Sequence, residues 1–162
     1  MLRPLTIKTV GLLTAGLIVL GGCGTAKAEP AYKQYETYWW GTTAHALTDT
    51  ERDLVERVVA AEARGESYEC MVGIAQTIRE RSEHWGQSIS KTVKYPQYAK
   101  PYKGEISDDV KDAVSAVFDD GVRQFPEYTT HFHADYVDPW WNESKIKRGV
   151  IDQTIFWGVE IK

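Results

Sequence analysis

Cysteine is nearly missing from this chain of 162 residues, which has only Cys23 and Cys70. That excludes a disulfide framework as the source of its stability, since a bridge between those two would tie the N-terminal segment to a helix. Positive charge is also scarce. Nineteen Lys and Arg stand against 23 Asp and Glu, a formal net charge of −4. No basic stripe and no Gly-rich phosphate loop is present, so the chain makes a poor phosphate binder and nucleic acid is not expected as a partner. There is no internal repeat. The conspicuous hydrophobic run, residues 10–20, is shorter than the roughly 20 residues that cross a bilayer as a helix. What remains is the composition of one ordinary globular domain, able to bury a core without staples. Its unusual component is aromatic, with six Trp and nine Tyr. Such rings are ordinary core and rim material, and they are also flat surfaces on which a ligand can stack.

The N-terminus reads as an address. Arg3 and Lys8 supply a positive n-region ahead of the apolar run. The run exits through Leu20-Gly21-Gly22-Cys23. This resembles a bacterial lipobox, in which small residues precede a Cys that is lipidated and becomes the new N-terminus. Ala26-Lys27-Ala28 offers a competing site of the ordinary A-x-A kind, but the Cys lies directly at the end of the h-region. The expected division is therefore a lipoprotein-type signal peptide over 1–22, an aromatic-rich tether over 23–46 and one folded domain over 47–162. The expected anchor is a lipid at Cys23, which leaves Cys70 as a buried small hydrophobe. The tether carries Tyr32, Tyr35, Tyr38, Trp39 and Trp40. A free linker would be Gly/Ser-rich, so this segment is expected to dock on the domain.

Within the domain, Thr48-Asp49-Thr50-Glu51 predicts a helix start by its capping box. Leu54, Val55, Val58 and Val59 follow at helical spacing, and Gly65 marks an end. A second helix is predicted from the N-cap Ser67 to about His84, with Met71, Ile74, Ala75 and Ile78 on one face. Residues 86–106 read as a long loop, a length that in a compact domain usually carries function. A third helix is predicted from Ser107, with Val110, Val114, Val117 and Phe118 on one side, closing at Gly121. Residues 129–137 and 154–161 are rich in β-branched and aromatic residues and read as two strands separated by a basic turn. Helices first and strands last predict an α+β fold.

Glu62 is the first residue to suggest chemistry. It follows Val59, Val58 and Val55 by three, four and seven residues, which places it on the apolar face of its helix. Desolvation there raises a carboxyl pKa, as a general acid requires. A helix-end Glu can equally point into solvent or pair with Arg64 or a nearby Lys. Glu66 would share that face if the helix ran on, a continuation that Gly65 opposes. His131 and His133 form H-x-H, both on one side of a strand, with Asp135 continuing the row. That pattern permits a metal site. It also fits hydrogen bonding beside a cleft, and with no obvious further ligand the expectation is no metal and no cofactor.

At Ala61-Glu62-Ala63-Arg64-Gly65-Glu66 the sequence resembles the SleB/CwlJ-type cell-wall hydrolases, whose most recognisable motif is A-E-A-R-G-E. Further segments follow in the same order. Cys70 to Gln76 resembles the family's second helix, and Gln97-Tyr98 its Gln-aromatic pair. Thr130-His131-Phe132-His133-Ala134-Asp135-Tyr136-Val137, with Pro139 and Trp141, resembles its strand motif, and Ile155-Phe156-Trp157 its closing strand. Two segments depart from it. Members commonly have Asn-Arg where this chain has Glu80-Arg81, and I-G-x-H where it has Ile151-Asp152-Gln153-Thr154.

The resemblance implies a mostly helical domain like those of lysozymes and lytic transglycosylases, with a small C-terminal β-sheet. It implies Glu62 as general acid/base and peptidoglycan as substrate, cut between N-acetylmuramic acid and N-acetylglucosamine. Gln97, Tyr98, Glu66, His131 and His133 are the candidates for holding substrate. A conventional glycosidase uses two carboxylates, whereas a lytic transglycosylase can use one, and a single well-supported acid favours the latter. The protein is then expected outside the cytoplasm, membrane-anchored and facing the cell wall or periplasm. Two alternatives from other classes are a metal-dependent amidase or peptidase built on His131, His133 and Asp135, and a wall-binding lipoprotein without turnover.

Overall fold

The structure, a computed structural model, describes residues 45–94 and 96–160. The signal peptide, Cys23 and the tether through Ala44 lie outside the described residues. No described helix is long and apolar enough to cross a membrane.

Helix α1 spans Asp49–Glu62. The capping box forms as its sequence predicts: the Glu51 N–H donates to Thr48 Oγ1 at 3.3 Å, and the Thr48 N–H donates to Glu51 Oε2 at 3.1 Å. Val55, Val58 and Val59 are its buried face. The helix stops at Glu62, and Gly65 takes φ +84°, a conformation that carries the chain away from the helix axis. Helix α2, Tyr68–Trp85, begins at the N-cap Ser67 and ends at Gly86. It is the centre of the molecule, packing on α1, on β1 (Thr129–Ala134) and on helix α4 (Asp108–Phe118), and every residue from 72 to 80 is buried.

A helix buried all round must satisfy its polar side chains internally. Gln76 accepts from the N–H groups of Gln124 and Phe125 at 2.8 and 3.0 Å and donates to the Phe125 carbonyl at 2.9 Å. Arg79 donates to the Val117 carbonyl at 2.7 Å and pairs with Glu83 at 2.9 Å. Glu80 accepts from Arg123 Nε at 2.8 Å, from Gln76 Nε2 at 3.1 Å and from the Tyr128 N–H. This network fixes residues 123–128, the approach to β1.

The sheet has three antiparallel strands in the order β1-β3-β2, with β2 at Ile146–Ile151 and β3 at Thr154–Gly158. Phe156 of β3 is fully buried. It meets α2 at Gly73, where a Cβ would lie 2.8 Å from the Phe156 ring, so only glycine allows this approach. The α+β reading and the helix starts agree with the sequence analysis. The strands need correction. The stretch between the two expected strands is not a simple basic turn but a 3-10 helix, Asn142–Ser144, followed by β2. Strand β2 reads IKRGVI, with a register shift between Lys147 and Gly149, so its two-residue alternation is broken. The first strand ends at Ala134, and the loop 86–106 contains a short helix, α3, at Ile89–Thr92.

Candidate active site

Glu62 is the last residue of α1, half-buried, with its Oε1 accepting the Ala99 N–H at 2.5 Å. Burial pushes its pKa up; the Ala99 hydrogen bond opposes this without cancelling it. Glu62 makes no ion pair with any described residue, so the pairing with Arg64 or a Lys does not occur within them. Arg64 instead lies 5.3 Å over the Tyr102 ring.

The loop that holds Glu62 also walls a cleft of about 420 Å³. Gln97 and Tyr98 come from this loop, Arg81 from α2, and His131 and Phe132 from β1. Trp140, Trp141, Ser144 and Lys145 close the other side. Glu62 is not itself in that wall; it touches the loop at Ala99, one residue past Tyr98. The Tyr98 ring is buried edge-on to Phe132 at 5.8 Å. Its phenol is pushed up chiefly by burial, with the charge of Arg81 opposing and that of Glu62 adding. Arg81 donates to Gln97 Oε1 at 3.2 Å and lies 5.3 Å over Trp85 and 5.7 Å over Tyr98.

His131 lies between Trp141, at 4.9 Å, and Trp85, at 5.9 Å. Its pKa is pushed down to about 4, first by burial and then by the charges of Arg81, Lys145 and His84, so the ring is neutral near pH 7. His133 stacks on Trp157 at 5.8 Å and meets Trp141 edge-on at 5.6 Å. Both histidines therefore touch Trp141 from one side of β1, as H-x-H spacing requires. Asp135 does not continue their row. It is exposed in the turn after β1, where its N–H donates to the Gln153 carbonyl at 2.7 Å. Each histidine Nδ1 has a partner, Thr130 Oγ1 at 2.9 Å for His131 and the Ala134 carbonyl at 2.8 Å for His133.

Glu66 goes elsewhere. The break at Gly65 sends it to the turn between β2 and β3, where the Gln153 N–H donates to its Oε2 at 3.5 Å. Its ligand-type neighbours are Cys70 and Asp152, the three offering atoms within 4.8 Å of one another. Burial pushes the Cys70 thiol up to about 12, and Asp152 Oδ2 accepts the Ser67 N–H at 2.7 Å. A protonated thiol and a carboxylate already engaged by backbone describe a structural junction more than a metal centre. Of the candidates, then, Gln97, Tyr98 and His131 share one cleft, Glu62 abuts it, His133 lies behind Trp141, and Glu66 lies apart. Sequence reasoning did not single out Arg81, Trp140, Ser144 or Lys145. The adjacent Trp140-Trp141 pair was the available signal, but it carried no spacing rule that tied it to Arg81 on α2.

No family model matches the sequence, and no curated protein matches it. Among solved structures, the catalytic domain of the Bacillus cereus SleB protein matches with a TM-score of 0.58 and 17% sequence identity, covering 74% of this chain and 99% of that chain. At that identity the match establishes the fold: this chain has the lysozyme-like fold of the SleB catalytic domain.

Proposed function

We propose that this protein cleaves the glycan strands of peptidoglycan between N-acetylmuramic acid and N-acetylglucosamine, as a lytic transglycosylase with Glu62 as its one acid/base. The observation that carries this is the state of Glu62. It is a half-buried carboxyl with a raised pKa, held by a neutral backbone N–H beside an aromatic cleft. Among the described residues the cleft wall holds no carboxylate to serve as a second catalytic acid or nucleophile. The SleB match supports the reading, because that domain is a catalytic one on the same fold.

The chemistry balances with a single carboxyl. The Oε1 oxygen accepts the Ala99 N–H, so the proton sits on Oε2. That proton passes to the glycosidic oxygen as the bond from the muramic C1 breaks and oxocarbenium character develops. The muramic 6-hydroxyl then attacks C1, and its proton returns to Glu62. No water is consumed and the carboxyl is restored. Gln97, Tyr98 and His131 serve to hold the sugar, with Trp140 and Trp141 as stacking surfaces. A neutral His131 is suited to hydrogen bonding with sugar hydroxyls and amides.

Mass analysis of muropeptides released from purified peptidoglycan tests this. The expected products end in 1,6-anhydromuramic acid. Reducing muramic ends would assign water as the nucleophile, and intact strands with released peptides would replace the reading with an amidase. We place the enzyme outside the cytoplasm with a lipid on Cys23, on the strength of the Leu20-Gly21-Gly22-Cys23 exit alone. Membrane fractionation of wild type against Cys23→Ala checks that placement, and a wild-type protein found soluble and beginning at Glu29 would contradict it.

A further inference from the structure

The cleft has a charge opposite to that of the chain as a whole. The protein is acidic, with a net charge of −4, yet among the described residues two cations, Arg81 and Lys145, stand in the cleft wall and no carboxylate does. Neither has an ion-pair partner among the described residues. Arg81 is held by rings and an amide instead: it lies over Trp85 and Tyr98 and donates to Gln97 Oε1. Lys145 follows the 3-10 helix on the opposite wall. Their joint field reaches His131 between them and helps to keep it neutral. Four other described arginines are given carboxylates, Arg52 with Asp119, Arg57 with Asp53, Arg79 with Glu83 and Arg123 with Glu80, whereas Arg64 lies over the Tyr102 ring and Arg148 donates to backbone carbonyls. Two cations that no described carboxylate compensates, lining one cavity, form an electrostatic site for an anion.

We infer that Arg81 and Lys145 are specificity residues that receive a carboxylate of the substrate, so that the cleft selects muramic-type glycan bearing free carboxylates over neutral glycan. This rests on the glycan-cleaving reading above and adds to it which strands are accepted. A neutral polymer of N-acetylglucosamine offers the same rings and amides but nothing for the two cations. A guanidinium and an ammonium left without an anion lose charge-assisted hydrogen bonds that a carboxylate would supply. The carboxylate has two sources with one chemistry: the lactyl group of a strand stripped of peptide, or the free carboxylates of the stem peptide.

The test is binding to the full chain carrying Glu62→Gln, which keeps the cleft but does not turn over. The probes are a peptide-free muramic–glucosamine tetrasaccharide, the same sugar with its carboxylates converted to methylamides, and a peptide-bearing tetrasaccharide with its carboxylates free or amidated. The expected result is a preference of roughly tenfold for a carboxylate form over its amide, the scale of a hydrogen bond to a charged group. That preference should shrink as salt rises and collapse when Arg81→Gln and Lys145→Gln are combined. The pair whose preference persists identifies the source, lactyl or peptide. Lys145→Gln alone leaves the ring contacts of Arg81 untouched and should remove part of the preference in a protein that melts as before. Equal affinity for carboxylate and amide in both pairs overturns the inference while leaving glycan cleavage standing. A preference that survives the double substitution overturns the assignment to these two residues. Binding to none of the sugars overturns the glycan reading itself.

Discussion

Two glutamates of the helical half occupy contrasting surroundings. Glu80, in the middle of α2, is 5% exposed and has three hydrogen-bond donors, one of them the guanidinium of Arg123. Glu62, at the end of α1, has one neutral donor, the Ala99 N–H, and no cation within ion-pair distance among the described residues. A buried carboxylate that is paired and fully hydrogen-bonded fastens structure together. A carboxyl that is desolvated and left nearly alone holds its proton to higher pH and can give it away. The fold uses the same residue type for anchorage at one place and for acidity at another, and the number and charge of the donors distinguishes them.

The sharpest way to break this contrast is to remove each acid. Glu62→Gln keeps the shape and an oxygen for the Ala99 N–H but removes the ionisable proton. Cleavage of purified peptidoglycan should fall about 10²–10⁴-fold, the usual share of a general acid, with far-UV dichroism unchanged. Near-normal cleavage by that folded variant would place Glu62 among ordinary surface residues. Glu80→Ala should act the other way. It takes from buried Arg123 its closest carboxylate and from the Tyr128 N–H its acceptor, and should cost about 3 kcal/mol of stability in denaturant unfolding. Whatever fraction remains folded should retain the chemistry.

The smallest effect is on the pH dependence of stability through Glu62. Because the folded pKa of Glu62 lies above the unfolded value, the folded state holds more protons between the two. Stability is therefore lost as pH rises through that window, and the loss is complete above the folded pKa. Glu62→Gln removes the loss. The variant should melt slightly above wild type at neutral pH, with the gain disappearing below the ordinary glutamate pKa of about 4.3. A variant less stable than wild type at neutral pH would mean that the carboxylate contributes to the fold as Glu80 does.

Much of this was legible in the sequence, for local reasons. The caps at Thr48 and Ser67 are written in the residues that make them, and the apolar stripe of α1 alone places Glu62 on a desolvated face. Failures occurred where long-range contacts overrule local pattern. Strand β2 was hidden because a bulge beside Gly149 breaks its alternation and its basic residues look like a turn. Asp135 left the histidine row because β1 ends one residue earlier, at Ala134. Glu66 left Glu62 because Gly65 turns the chain toward the β2–β3 turn. The cleft joins α2, a loop, β1 and the segment after the 3-10 helix, and no spacing within one element announces that meeting.

The claim that burial makes Glu62 the proton donor is tested most directly by carboxyl ¹³C titration of glutamate-labelled protein. Comparing wild type with Glu62→Gln identifies the Glu62 resonance as the one that vanishes. The account predicts that this resonance titrates clearly above the ordinary glutamate pKa of about 4.3, and that cleavage declines as pH rises through the same midpoint. A Glu62 resonance titrating at or below the ordinary value would contradict it.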